Sequence, residues 1–78
     1  MHPVKSRIVR IADRQFEIRA WWDGRMYAVR AFDGERPWGL TFGVAADTQY
    51  DFEVSHGNDA IDELMNVAEN ELRRAYAQ

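Results

Sequence analysis

Ser55-His56 followed by Asp59 contains the three residue types of a nucleophilic triad. His56 with Asp59, and Asp62 or Glu63, adds an imidazole and carboxylates of the kind that bind a divalent metal. Both chemistries need side chains that converge. A triad requires nucleophile, base and orienting acid in hydrogen-bonded sequence, and neighbouring residues on a turn entering a helix do not normally supply it. Carboxylates also gather in a first helical turn for a simpler reason, their attraction to the positive end of the helix dipole. The segment therefore reads as a polar loop with helix caps, and no catalytic residue, metal ligand or cofactor is assigned. The absence of cysteine excludes a thiol nucleophile and a thiolate zinc site. Gly34, Gly39 and Gly43 are separated by strand-like residues and precede no helix, so they do not form a phosphate-cradling loop. Nothing builds a cleft around paired acids of the glycosidase kind. The expectation is a chain that is not an enzyme.

A second constellation suggests recognition. Arg10, Arg19 and Arg30 fall on the same side of neighbouring strands as Trp21 and Phe32. Cations for phosphate and aromatic rings for stacking bases are what a sheet-surface binder of RNA or single-stranded DNA uses. Glu17 interrupts that row, the formal net charge is −3, and no signature motif of the common sheet-based RNA-binding fold is present. Charge is unevenly divided: residues 1–36 carry eight Lys/Arg against five acids, and residues 37–78 two against eight. A solvated sheet face over an acidic helix accounts for that split, and nucleic-acid binding stands as the alternative.

The element that must position these residues is Arg14 to Asp33. Two alternating runs rich in strand formers flank Asp23-Gly24, a dipeptide suited to the positive φ angles of a two-residue hairpin turn. Placing that turn centrally sets Trp22 opposite Arg25, Ala20 opposite Tyr27, Ile18 opposite Val29 and Phe16 opposite Ala31. The other face then carries Glu17 opposite Arg30 and Trp21 opposite Met26. Before the hairpin, Met1 to Ser6 reads as a loose lead-in and Arg7 to Ile11 as a strand. A loop from Ala12 to Gln15 would set Val9 against Ile18 and extend the charged face into an Arg10–Glu17–Arg30 row. After the hairpin, a second Asp-Gly at Asp33-Gly34 marks another turn. Pro37 points to an edge strand or loop, and Trp38, Leu40 and Phe42 fall on the apolar face. Thr48 to Val54 alternates as a fifth strand. Asn58 or Asp59 then caps a helix whose stripe is Ile61, Leu64, Met65, Ala68, Leu72, Ala75 and Tyr76.

The predicted architecture is one α+β domain over residues 1–78, an antiparallel β-meander of four to five strands with one C-terminal amphipathic helix on its apolar face, ordered β-β-β-β-β-α. The sheet spans 7–55 and the helix 58–76, after the lead-in of 1–6. Five strands at about 4.8 Å spread over roughly 20 Å, whereas a helix is about 10 Å across. Curvature or a second copy of the chain must cover what the helix leaves, and a homodimer is the expectation. Trp21, Met26, Phe32 and Trp38 are the expected interaction patch. No apolar run approaches the ~20 residues of a membrane span, and the N-terminus lacks the apolar core of a signal peptide. The chain therefore reads as a cytoplasmic domain working by protein–protein interaction. The order strand–Asp-Gly–strand–loop–strand–helix, with YAVRAFDGERP followed by DAIDELMNVAENEL, resembles the HicB-type antitoxin domain. That resemblance implies a toxin as partner. The family's Pro-Gly-Cys turn and Gly-Asp-Thr are absent, and no functional residue carries over.

Overall fold

The computed structural model describes residues 2–50 and 59–76. Four strands, β1 (His2–Ile11), β2 (Arg14–Trp22), β3 (Met26–Asp33) and β4 (Arg36–Ala45), form one antiparallel sheet in the order β1-β2-β3-β4. The helix α1 (Ala60–Tyr76) packs across one face. This is the expected α+β meander with a C-terminal helix.

The turns differ from expectation, and in a regular way. Ala12 and Asp13 alone separate β1 from β2, with φ of 49° and 68°, the paired positive angles of a type I′ turn. In the next hairpin the central residues are Gly24 and Arg25, not Asp23 and Gly24. The Asp23 N–H donates to the Met26 carbonyl at 3.1 Å, and Asp23 Oδ1 accepts from the Arg25 and Met26 amides, both at 2.8 Å. The aspartate thus works from outside the turn as a local acceptor, and Gly24 takes the positive φ, 97°, at the first central position. Asp33 pairs with Arg36 around Gly34 and Glu35, with Gly34 at a φ of 65° and the Asp33 carboxylate accepting from Arg14 at 2.7 Å.

Each displacement moves the cross-strand partner by two residues. Ile18 faces Ala31 and Arg7, Val9 faces Phe16, and Ala20 faces Val29. Because side chains alternate with period two, every residue stays on its expected face while its partner changes. The Arg10–Glu17–Arg30 row is therefore not formed. Glu17 lies between Ile8 and Phe32, Arg10 faces Gln15, and Arg19 faces Arg30.

Two further expectations are corrected. Residues 2–6 are paired strand, not a lead-in: His2 and Pro3 lie opposite Trp22 and Trp21, and Lys5 and Arg7 reach onto the helix. Residues 46–50 are helical, so Thr48 to Tyr50 do not begin a fifth strand; residues 51–54 lie outside the described residues. Gln49 shows what that helical turn accomplishes. Its side-chain oxygen accepts from the Ala60 N–H at 2.9 Å and its amide donates to Asp59 Oδ1 at 2.7 Å. Asp59 itself caps α1, accepting from the Ile61 N–H at 2.8 Å.

Phe16, Ile18, Val29, Met65 and Leu72 are almost completely buried and form the core with Val9, Ile11, Ala20, Ala31, Ile61 and Ala68. The helix packs chiefly on β3 and β2, where the core includes the small residues Ala20 and Ala31, and leaves an apolar groove beside β4 between Trp38, Leu40, Phe42 and Val67. Half-buried Tyr27, Trp38, Phe42, Val44, Leu64 and Tyr76 fill the margins. Leu40 stays on the helix side but is not buried, lining that open groove with Trp38, Phe42, Val67 and Ala68. One residue of β3, Arg30, opposes Gly39, Leu40 and Thr41 of β4, and this bulge leaves Leu40 77% exposed.

Ala12 bears the strain of the first turn, since a Cβ disfavours left-handed backbone by about 1–2 kcal/mol. Replacing Ala12-Asp13 with Asn-Gly is expected to stabilise the fold by about 1 kcal/mol, measured as a rise of roughly 4–8 °C in thermal midpoint.

Candidate functional site

The helix leaves the opposite face of the sheet without cover from any described residue. Its centre is built from β2 and β3. Trp21 and Phe32 approach with ring centroids 6.3 Å apart at 60°. The Arg19 guanidinium lies 4.2 Å from the Phe32 centroid, a cation–π distance. Arg19 Nε donates to Glu17 at 2.6 Å, and Nη2 donates to Glu35 at 3.2 Å and to the Gly34 carbonyl at 3.4 Å. Arg30 turns towards the β4 bulge, where its Nη2 donates to the Gly39 carbonyl at 2.7 Å, and its Nε is buried without a partner. The opposed arginines Arg19 and Arg30 are thus drawn to separate acceptors, which limits their repulsion.

Apolar groups border this centre. Met26 lies against the backbone of Gly43, where a Cβ would stand 2.8 Å from Met26 Cε. Val4 and Ile8 on β1 are 41% and 55% exposed. Val4, Ser6, Arg19, Trp21 and Phe32 line a shallow concavity on this side.

Of the expected interaction patch, Trp21, Met26 and Phe32 therefore share the bare face, and Trp38 does not. Trp38 faces Ala31 on the helix side, donating from Nε1 to the Tyr76 hydroxyl at 2.9 Å with ring centroids 5.9 Å apart. Tyr76 also stacks on Phe16 at 5.0 Å and receives the Arg14 guanidinium 4.8 Å from its ring. Trp38 is a structural residue that sequence alternation assigned to the core face and aromatic character alone assigned to a patch. Of the nucleic-acid set, Arg10 is exposed, but Arg19 and Arg30 direct their donors into the protein. Ile8 was missed as a site residue; its signal was an apolar residue at an outward position of an edge strand.

A polar seam on the helix side joins β1 to α1. Lys5 Nζ contacts Asp59 and Asp62, each at 2.9 Å. Arg7 Nη1 contacts Glu69 at 3.1 Å and Asn66 at 2.8 Å, and Arg73 also pairs with Glu69. Hydrogen bonds to Asp59 and Asp62 raise the Lys5 pKa. For Asp59, burial pushes the carboxyl up, but Lys5, the Ile61 N–H and Gln49 together outweigh it and the net shift is downward. Glu69 behaves likewise, burial being outweighed by Arg73 and Arg7. Two of these acids, Asp59 and Asp62, are among those considered above for metal binding. They instead anchor a strand, while Ser55 and His56 lie outside the described residues. Among the described residues no cluster of three or more metal-ligating side chains is present.

Comparison with protein-family models, curated proteins and solved structures finds no match. The HicB likeness thus rests on element order.

Two outcomes follow from this geometry. Trp38→Ala is expected to destabilise the fold by about 2–3 kcal/mol, through lost packing and the orphaned Tyr76 contact, while Trp21→Ala changes stability by less than about 1 kcal/mol. Urea unfolding of the two variants measures both. In acid, the depressed pKa values of Asp59 and Glu69 give stability that is complete above the ordinary carboxylate range near pH 4 and falls as pH drops through their lower native values. Glu69→Gln should therefore flatten the stability profile below about pH 4, read as the urea midpoint against pH.

Proposed function

We propose that this chain is a non-enzymatic protein-interaction domain whose first partner is a second copy of itself. The observation that carries this reading is apolar surface left open by the described residues: Ile8 is 55% exposed on the edge strand β1, and Val4, Trp21, Met26 and Phe32 lie on or beside the sheet face that α1 does not cover. Scattered single apolar side chains are ordinary on a protein surface, whereas a group gathered on one face suits a partner. The Trp21–Phe32 patch with Arg19 above it is the surface open to a further protein.

Nucleic acid is less well served by the same face. Arg19 already donates to two carboxylates and a carbonyl, and Arg30 to a backbone carbonyl. A phosphate would have to displace those acceptors. The absence of cysteine suits a reducing compartment such as the cytoplasm, and among the described residues no helix is long and apolar enough to cross a membrane.

Sedimentation velocity across a concentration series tests the self-association. The expected result is a species of twice the 9.1 kDa chain mass that dissociates on dilution. A monomer at every concentration up to the millimolar range overturns it.

A further inference from the structure

We infer that two copies join edge to edge along β1, with Ile8 at the two-fold axis, to make one continuous eight-stranded sheet. The inference rests on the self-association proposed above and identifies the surface that performs it.

Two geometries could unite copies of a sheet with one bare face. Stacking the bare faces would bury Arg19 with Glu17 and Glu35, and Arg30 beside them, twice over. Removing such ions from water costs more than their mutual attraction readily returns. Joining at an edge leaves those groups in solvent. The two edges are not equivalent. β4 is blunted by Pro37, which has no N–H to donate, and by the bulge at residues 39–41. β1 has a proline and a bulge of its own, at Pro3 and between Pro3 and Lys5, but both lie near its start. From Lys5 to Ile11 it pairs with β2 without interruption, a longer run than β4 offers on either side of its bulge. Edge strands are commonly guarded by charged side chains. Here Lys5 and Arg7 are drawn over the helix side and held by Asp59, Asp62, Asn66 and Glu69.

Backbone geometry specifies how a second strand fits. A two-residue turn closes on a pair that exchanges both hydrogen bonds, here Ile11 and Arg14, and such pairs alternate along an antiparallel ladder. Lys5, Arg7, Val9 and Ile11 thus direct their N–H and C=O groups to β2. Ser6, Ile8 and Arg10 direct theirs outward. A symmetric antiparallel mate must pair outward residues with outward residues. The uninterrupted stretch 5–11 is centred on Ile8, so the register Ile8 to Ile8, Ser6 to Arg10 and Arg7 to Val9 uses all of it. No like charges stand opposite in that register, whereas centring on Arg7 would face two guanidinium groups. It also covers Ile8, 55% exposed on the monomer, with its own symmetry mate. Both Trp21–Phe32 patches remain open on the same side of the extended sheet.

The chain contains no cysteine, so single substitutions report the register directly. In the proposed pairing the two Ile8 Cα atoms lie about 5.5 Å apart, within disulfide reach. The two Ser6 residues are offset by four positions along the strands, roughly 14 Å, beyond it. Ile8→Cys is expected to oxidise largely to a covalent dimer on a non-reducing gel, and Ser6→Cys to stay predominantly monomeric under the same dilute oxidant. In wild type, hydrogen exchange should show the Ser6, Ile8 and Arg10 amides protected at high concentration and released on dilution. A sedimenting dimer in which Ile8→Cys does not cross-link and these amides exchange freely overturns the edge pairing while leaving self-association intact. A wild-type chain that remains monomeric removes both. Cross-linking of Ser6→Cys in preference to Ile8→Cys overturns the Ile8-centred assembly.

Discussion

The burial of α1 against the centre of the sheet is the constraint on which the rest of this molecule depends. Phe16, Ile18 and Val29 from below and Met65 and Leu72 from above are almost wholly removed from water, and burying side chains of that size is worth about 1.5–3 kcal/mol each before entropy is counted. A chain of 78 residues has room for one such core and little else. Everything at the margins serves to close it. Tyr76 folds the end of the helix over Phe16 and accepts from Trp38, while Lys5 and Arg7 close the β1 side through ion pairs with the helix.

That economy explains why the two faces of the sheet differ so strongly. Among the described residues α1 covers one face, and the other must be tolerable in water. The bare face meets that requirement with its own side chains. Its aromatic pair sits beneath an arginine whose charge is met by two glutamates, which keeps apolar surface soluble without giving it up. The same division extends to the edges, where β4 is interrupted near its middle and β1 only near its start, before Lys5.

Sequence reasoning reached the correct face for the residues of the central hairpin while choosing the wrong partners for them. Alternation is a property of the strand alone, so Ile18 and Ala20 had to point opposite to Arg19 and Trp21 wherever the turn fell. Partners depend on where the chain reverses. Asp-Gly can place either residue pair at the centre, and the choice here lies with the hydrogen bonds that Asp23 makes from the flanking position. The charged row expected across three strands disappeared through two such shifts: this one separated Glu17 from Arg30, and the tight Ala12-Asp13 turn separated Arg10 from Glu17.

Periodicity acts within a segment, so the residues alone were enough for the class of the fold, the inward and outward sides of the strands, the Trp21, Met26 and Phe32 side of the candidate surface, and the helix stripe except Ala75, which is exposed. Only the folded chain settled the registers, the exposure of Leu40 at the β4 bulge, the helical state of residues 46–50, and the assignment of Trp38 to structure. It also decided that β1 extends to His2. Each of these depends on groups far apart in the chain meeting across space: Lys5 with Asp59, Gln49 with the start of α1, Trp38 with Tyr76. Local pattern carries no information about which distant donor an acceptor will find, and the burial that rewards such a meeting exists only once the helix has closed on the sheet.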